Sequence, residues 1–131
     1  MKVLFVCIEN TCRSVMAETV FNSLAKSWKA ESAGVEAGKE YDGKAVEILE
    51  KRGYRVNEGR PKSLKDVNLE SYEVVIAVCG ESACVNVPHR NVERWYVEDP
   101  KGKGVDEYLK TLSMIEDKVR ELLRRLEDES S

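Results

Sequence analysis

Cys7 and Arg13 are separated by five residues, and Ser14 follows at once. That spacing lets a nucleophile and an anion clamp share one loop. The stretch Cys7-Ile8-Glu9-Asn10-Thr11-Cys12-Arg13-Ser14 comes directly after the apolar run Val3-Leu4-Phe5-Val6, so the loop begins at the end of a strand. Backbone N–H groups of a tight strand-to-helix loop, joined by the first turn of the helix, can surround a tetrahedral anion. Arg13 adds a planar fork able to hold two oxygens of that anion. The same positive field favours a thiolate at Cys7, and Ser14 can donate a hydrogen bond to that sulfur. A free cysteine closing an apolar strand also has a plainer use as a small core residue. The strand before, the helix after and the hydroxyl at the next position favour the anion loop.

Two further groups carry chemistry. Cys79-Gly80-Glu81-Ser82-Ala83-Cys84 follows a second apolar run and contains two thiols among residues typical of an exposed loop. Such thiols are either core fillers or, near a thiolate nucleophile, partners in thiol–disulfide exchange, each sulfur displacing the previous one. Asp99 stands in Glu98-Asp99-Pro100. An aspartate before proline is a turn signal, but beside an anion loop its carboxylic acid can also protonate a leaving oxygen.

These residues must be brought to one place by the elements between them. Residues 2–6 predict a first strand, and Ala17, Val20, Phe21, Leu24 and Trp28 predict a helix starting near Arg13. Residues 29–32 read as a second strand closing at Ser32-Ala33-Gly34. A second helix is expected over 41–52, with Ala45, Ile48 and Leu49 inward and Gly53 as its stop. Val74-Val75-Ile76-Ala77-Val78 reads as a central strand buried on both faces. Residues 92–95 predict a last strand, and a final helix over 105–127 carries Tyr108, Leu109, Leu112, Ile115, Val119, Leu122, Leu123 and Leu126 at helical steps. Strands alternating with helices predict an α/β fold with a parallel sheet, where ligands sit at the carboxyl ends of strands. Cys7, Cys79 and Asp99 all fall just past such ends.

The 131 residues suit a single domain, 1–131. Charged residues make up 34% of the chain, yet the net charge is only −3, which argues against nucleic acid or an anionic membrane as partner. Met1-Lys2 leads straight into a short strand-like run with no secretory apolar segment, and no stretch approaches the ~20 apolar residues of a membrane span. A soluble, cytoplasmic protein is expected. The four cysteines fall in two pairs with four residues between partners, unlike the spacing of zinc knuckles, so neither metal nor cofactor is expected. His89 reads as a solvated loop residue. The basic cluster Lys51, Arg52, Arg55, Arg60, Lys62 and Lys65 reads either as a solvated face or as a steering field for an anion.

The block from Val3 to Glu18, the Ser32-Ala33-Gly34 turn, the strand ending at Cys79, and Asp99-Pro100 together resemble the low-molecular-weight tyrosine phosphatase superfamily. The Cys79/Cys84 loop, Trp95 and the Glu98-Asp99-Pro100 segment are most similar to its thioredoxin-coupled arsenate reductases. The resemblance covers essentially the whole chain. It implies a three-layer, four-stranded parallel sheet with helices on both faces, related to flavodoxin. It also implies a mechanism in which Cys7 attacks arsenate held by the amides of Ile8 to Cys12 and by Arg13, while Asp99 gives a proton to the leaving oxygen. Cys79 then attacks the Cys7–arsenic adduct, Cys84 attacks Cys79, and thioredoxin reduces the resulting disulfide. Asn10 would shape the loop with Ser32 as its hydrogen-bonding neighbour, Ser14 would stabilise the thiolate, and Cys12 would be able to protect Cys7 as a disulfide. A tyrosine phosphatase using Cys7, Arg13 and Asp99 alone is the alternative reading, and a non-catalytic oxyanion-binding or redox-sensing module is a third.

Four features depart from the family pattern. Glu9 replaces a glycine, which is strained if that position needs positive φ. The gap between Cys79 and Cys84 is short for the reductases. Arg60-Pro61-Lys62-Ser63-Leu64 is phosphatase-like and removes the potassium ligands of some reductases. Lys101-Gly102 stands in place of phosphatase tyrosines.

Overall fold

Val3, Leu4, Phe5 and Val6 are completely buried, as are Val75, Ile76 and Ala77, because β1 (Lys2–Cys7) and β3 (Val74–Cys79) lie side by side in the middle of the sheet. The computed structural model describes residues 1–80 and 86–129, and Cys84 lies outside them. β2 (Lys29–Gly34) pairs with the free side of β1 and β4 (Val92–Tyr96) with the free side of β3, giving the order β2-β1-β3-β4, all parallel. The chain therefore leaves β1 towards one edge and returns to build the other half from β3. The point of reversal lies between the carboxyl ends of β1 and β3, where such sheets bind ligands. Cys7 and Cys79 are those two ends.

Alternation along the strands divides the core. Val3 and Phe5 of β1, Ile76 and Val78 of β3 and Trp95 of β4 face one side, where they meet α1 (Arg13–Leu24), α2 (Gly43–Lys51) and α3 (Val105–Glu129). Phe5 packs edge-on against Phe21 of α1 and tilted against Trp95, with ring centres 5.8 and 5.4 Å apart. Leu4, Val6, Ala33 and Val75 face the other side under Tyr72, Val87, Leu64, Val67 and Leu69. Single-turn 3-10 helices at Leu64–Asp66 and Leu69–Ser71 carry part of that cover. Helices thus occupy both faces, but unequally.

The expected elements are present with small shifts at their ends. α1 stops at Leu24, which is exposed, because Ala25 is already extended (φ −70°, ψ 145°). Trp28 reaches the core from outside the helix rather than as its last turn. Leu109 lies off the buried stripe of α3, between buried Tyr108 and Leu112. Gly53 does end α2, at φ +91°. His89 is not a solvated bystander: Asn91 N donates to its Nδ1 at 3.0 Å, so Nε2 carries the proton and donates to the Tyr72 carbonyl at 2.9 Å. The ring ties the segment before β4 to the start of β3. Among the described residues no helix is long and apolar enough to cross a membrane.

Tyr54, after α2, donates to Glu116 of α3, and burial reinforced by that carboxylate pushes the phenol up to about 12. In the unfolded chain it titrates near 10. Above that pH the unfolded state releases a proton that the folded state keeps, so this group's contribution to stability is lost as pH rises from 10 to about 12. Tyr54→Phe should flatten the fall of the urea midpoint over that range without removing it, because Tyr41, Tyr72, Tyr108 and Cys12 are pushed up in the same direction. An unchanged slope would contradict this assignment.

Candidate active site

The loop from Cys7 to Arg13 is held from outside by its own carbonyls. Val35 N donates to Cys7 O at 3.3 Å, Glu36 N to Ile8 O at 2.8 Å, Gly38 N to Glu9 O at 2.9 Å and Asp42 N to Thr11 O at 2.9 Å. Fastening the carbonyl side of these peptides outward leaves their N–H side to the pocket, as an anion nest requires. Gly34 makes the approach possible: a Cβ there would lie 2.7 Å from Glu9 C and Ile8 O and 2.8 Å from Asn10 N. α1 begins on the same loop with no side-chain cap and no acidic residue in its first turn. Its positive end is therefore uncancelled where an anion would sit.

Asn10 sets the loop's shape. It is completely buried and is the only non-glycine residue at positive φ (58°) among the described residues. Its Nδ2 donates to Ser14 Oγ and to Ser32 Oγ, both at 2.8 Å, and its Oδ1 accepts from Lys62 N at 2.9 Å. The strain considered for Glu9 thus falls one residue later, on a side chain suited to that conformation. Ser32 Oγ passes the chain on to Glu18 Oε1 at 2.6 Å, and Asn57 donates to the other Glu18 oxygen. Burial raises the pKa of Glu18, opposed by the hydrogen bond from Ser32 and the charge of Lys62.

Cys7 is 4% exposed, and its Sγ lies 2.9 Å from Ser14 Oγ. Asn10 already donates to Ser14 Oγ, which leaves the serine proton for the sulfur. Arg13 is buried, its Nη1 donating to Val97 O at 2.9 Å and its Nη2 lying 3.8 Å from Asp99 Oδ2. Asp99 is partly exposed on the opposite wall. Cys12 is a free thiol like Cys7, and burial, with Asp42, Asp99 and Cys7 adding to it, pushes its pKa far above the usual thiol range. Its thiol therefore stays protonated.

Cys79 corrects an expectation. It is not on an exposed loop but is the last residue of β3, 2% exposed and disulfide-bonded. It shares the alternation of Val75, which faces away from the helices, whereas Cys7 shares that of Phe5, which faces them. The next residue borders the site, since a Cβ added to Gly80 would lie 3.8 Å from Arg13 Nη1.

Cys7, Ile8, Glu9, Thr11, Cys12, Arg13 and Asp99 therefore line one cavity of about 60 Å³, with Asn10, Ser14 and Ser32 supporting it from behind. The sequence reading missed Lys101, which also lines this cavity, the Val97 carbonyl under Arg13, and the segment 35–42 behind the loop. Only Gly34 signalled that last contact.

An anion loop at the reversal point of a parallel α/β sheet defines a class of enzymes that handle tetrahedral oxyanions. The chain belongs to the low molecular weight phosphotyrosine protein phosphatase family, which matches residues 2–131. It is 30% identical over 131 residues to a Synechocystis sp. protein described as glutaredoxin arsenate reductase, spanning 95% of this chain and 98% of the relative. Among solved structures, an arsenate reductase from Archaeoglobus fulgidus is 47% identical with a TM-score of 0.87, covering 92% of this chain and 98% of that one. A low molecular weight protein tyrosine phosphatase from T. tengcongensis is 33% identical with a TM-score of 0.82, covering 96% and 99%. Both kinds of relative are enzymes, and so is this protein.

Replacing Asn10 tests the loop's conformation. Asn10→Ala and Asn10→Gly both lose the same three hydrogen bonds, but only alanine resists φ 58°. In urea titrations Asn10→Ala should be the less stable by about 1 kcal/mol. Equal stabilities would show that the loop does not hold that backbone.

Proposed function

We propose that this enzyme reduces arsenate to arsenite through Cys7, Cys79 and Cys84, with thioredoxin restoring the thiols. The Cys7 thiolate, hydrogen-bonded by Ser14, attacks arsenic while the loop N–H groups and Arg13 hold the remaining oxygens. Asp99 protonates the oxygen that departs as water. Cys79 then attacks Cys7 Sγ, and the electron pair of the sulfur–arsenic bond stays on arsenic, which leaves as arsenite. Two thiols have supplied two electrons and now form a disulfide. Cys84 attacks Cys79, releases Cys7 as thiolate, and leaves a Cys79–Cys84 disulfide for the reductant.

The observation that carries this reading is the distribution of thiols: Cys79 is disulfide-bonded while Cys7 and Cys12 are free, as at the end of such a relay. The position of Cys79 at the strand end beside β1, next to a glycine that borders Arg13, supports it further. Because Cys79 is in step with the opposite face, its attack on Cys7 requires the end of β3 to turn over. The relay is thus coupled to local unwinding of that strand end.

The test compares arsenite production with aryl phosphate hydrolysis, which Cys7, Arg13 and Asp99 alone can support. Cys79→Ser should abolish arsenite production at least a hundredfold and leave hydrolysis of p-nitrophenyl phosphate within about twofold. Arsenite production that survives Cys79→Ser contradicts the relay, and a wild type that hydrolyses the aryl phosphate but makes no arsenite returns the protein to the phosphatase reading. Running the wild type with a thioredoxin system and with glutaredoxin plus glutathione identifies the reductant, and thioredoxin is the one expected.

A further inference from the structure

Glu9 and Lys101 both line the anion cavity, yet neither serves the loop's own design. A carboxylate on a loop that must hold a multiply charged oxyanion repels it. Lys101 stands on the far wall, two residues after Asp99. The structure joins the two: Lys101 Nζ donates to Glu9 Oε1 at 3.1 Å. The pair cancels the charge of Glu9 beside the ligand, leaving Arg13 to set the field. It also links the anion loop to the segment carrying Asp99 over a cavity of only about 60 Å³. A cavity this small suits a bare inorganic ion better than an ion that carries an organic group.

We propose that the Glu9–Lys101 ion pair is a clasp that selects substrate by size, admitting free inorganic oxyanions and disfavouring phosphomonoesters. This rests on the reading of the cavity as an oxyanion site. The two side chains are 47% and 35% exposed, so the clasp is weak enough to open for exchange of ions with solvent. An aryl phosphate binds only to the open form, and its kcat/KM is lowered by the fraction of molecules that are closed.

The measured quantity is the ratio of kcat/KM for p-nitrophenyl phosphate to the association constant for inorganic phosphate, the latter from calorimetric titration of the reduced protein. Taking a ratio removes the general effect of changed charge on anion binding. Glu9→Lys and Lys101→Glu each break the pair and should raise the ratio about threefold to fivefold, the most that one exposed ion pair can bias. The double exchange Glu9→Lys/Lys101→Glu restores an ion pair and should return the ratio to within about twofold of wild type. Ratios unchanged in both single variants, or a double variant that stays as permissive as the singles, overturn the clasp. If wild type binds phosphate and makes arsenite while the ratios stay flat, the clasp alone fails. A wild type that binds no phosphate overturns the oxyanion site and the clasp together.

Discussion

The side chain of Asn10 holds the site in one shape. It occupies a left-handed backbone position at φ 58°, and from there it reaches Ser14, Ser32 and Lys62. These three contacts belong to α1, to β2 and to the segment after α2. One buried amide therefore ties the loop to three of the segments around it. Its donation to Ser14 Oγ turns the serine proton towards Cys7. The shape of the loop and the hydrogen bonding of the Cys7 sulfur thus follow from the same group.

Topology does the rest of the positioning. β1 and β3 are neighbours although about seventy residues separate them, and the reversal of strand order between them opens the crevice where their ends meet. Arg13 is held against Val97, just beyond β4, so that a residue of the first loop is oriented by the last strand's exit. The segment 35–42 closes the loop from behind. No single element contains the site: the strands contribute through their carboxyl ends and α1 through its first turn.

Much of this was legible from residue types. The apolar run Val3–Val6, the run Val74–Val78 and the stripe on the last helix specify burial strongly, and the strands and helix formed where the pattern placed them. Cys7, Arg13 and Ser14 carry their spacing in the sequence, so their convergence needed only a strand before and a helix after. Contacts made by backbone were harder to see. The Val97 carbonyl, the Lys62 amide and the loop carbonyls have no side-chain signature. Glu9 drew suspicion as a misplaced glycine position, but the positive φ lies at Asn10, and Glu9 finds a partner 92 residues away in Lys101. Cys79 was read as a loop residue because polar residues follow it, whereas the strand's burial continues through it. His89 looked idle because a hydrogen bond to a backbone carbonyl leaves no pattern in sequence.

The two branches of the family differ in where electrons go after the anion is bound. In the proposed function the pocket of Cys7, Arg13 and Asp99 would serve either branch, and the choice rests on whether a disulfide forms between Cys7 and Cys79 as arsenic is reduced. Trapping that transfer tests the account most directly. Fully reduced Cys84→Ser protein is mixed with one equivalent of arsenate, quenched in acid and examined by peptide mass spectrometry. The account predicts release of arsenite together with a disulfide-linked pair of peptides containing Cys7 and Cys79. Release of arsenite with Cys79 still a free thiol, or with Cys7 paired to Cys12, would contradict it.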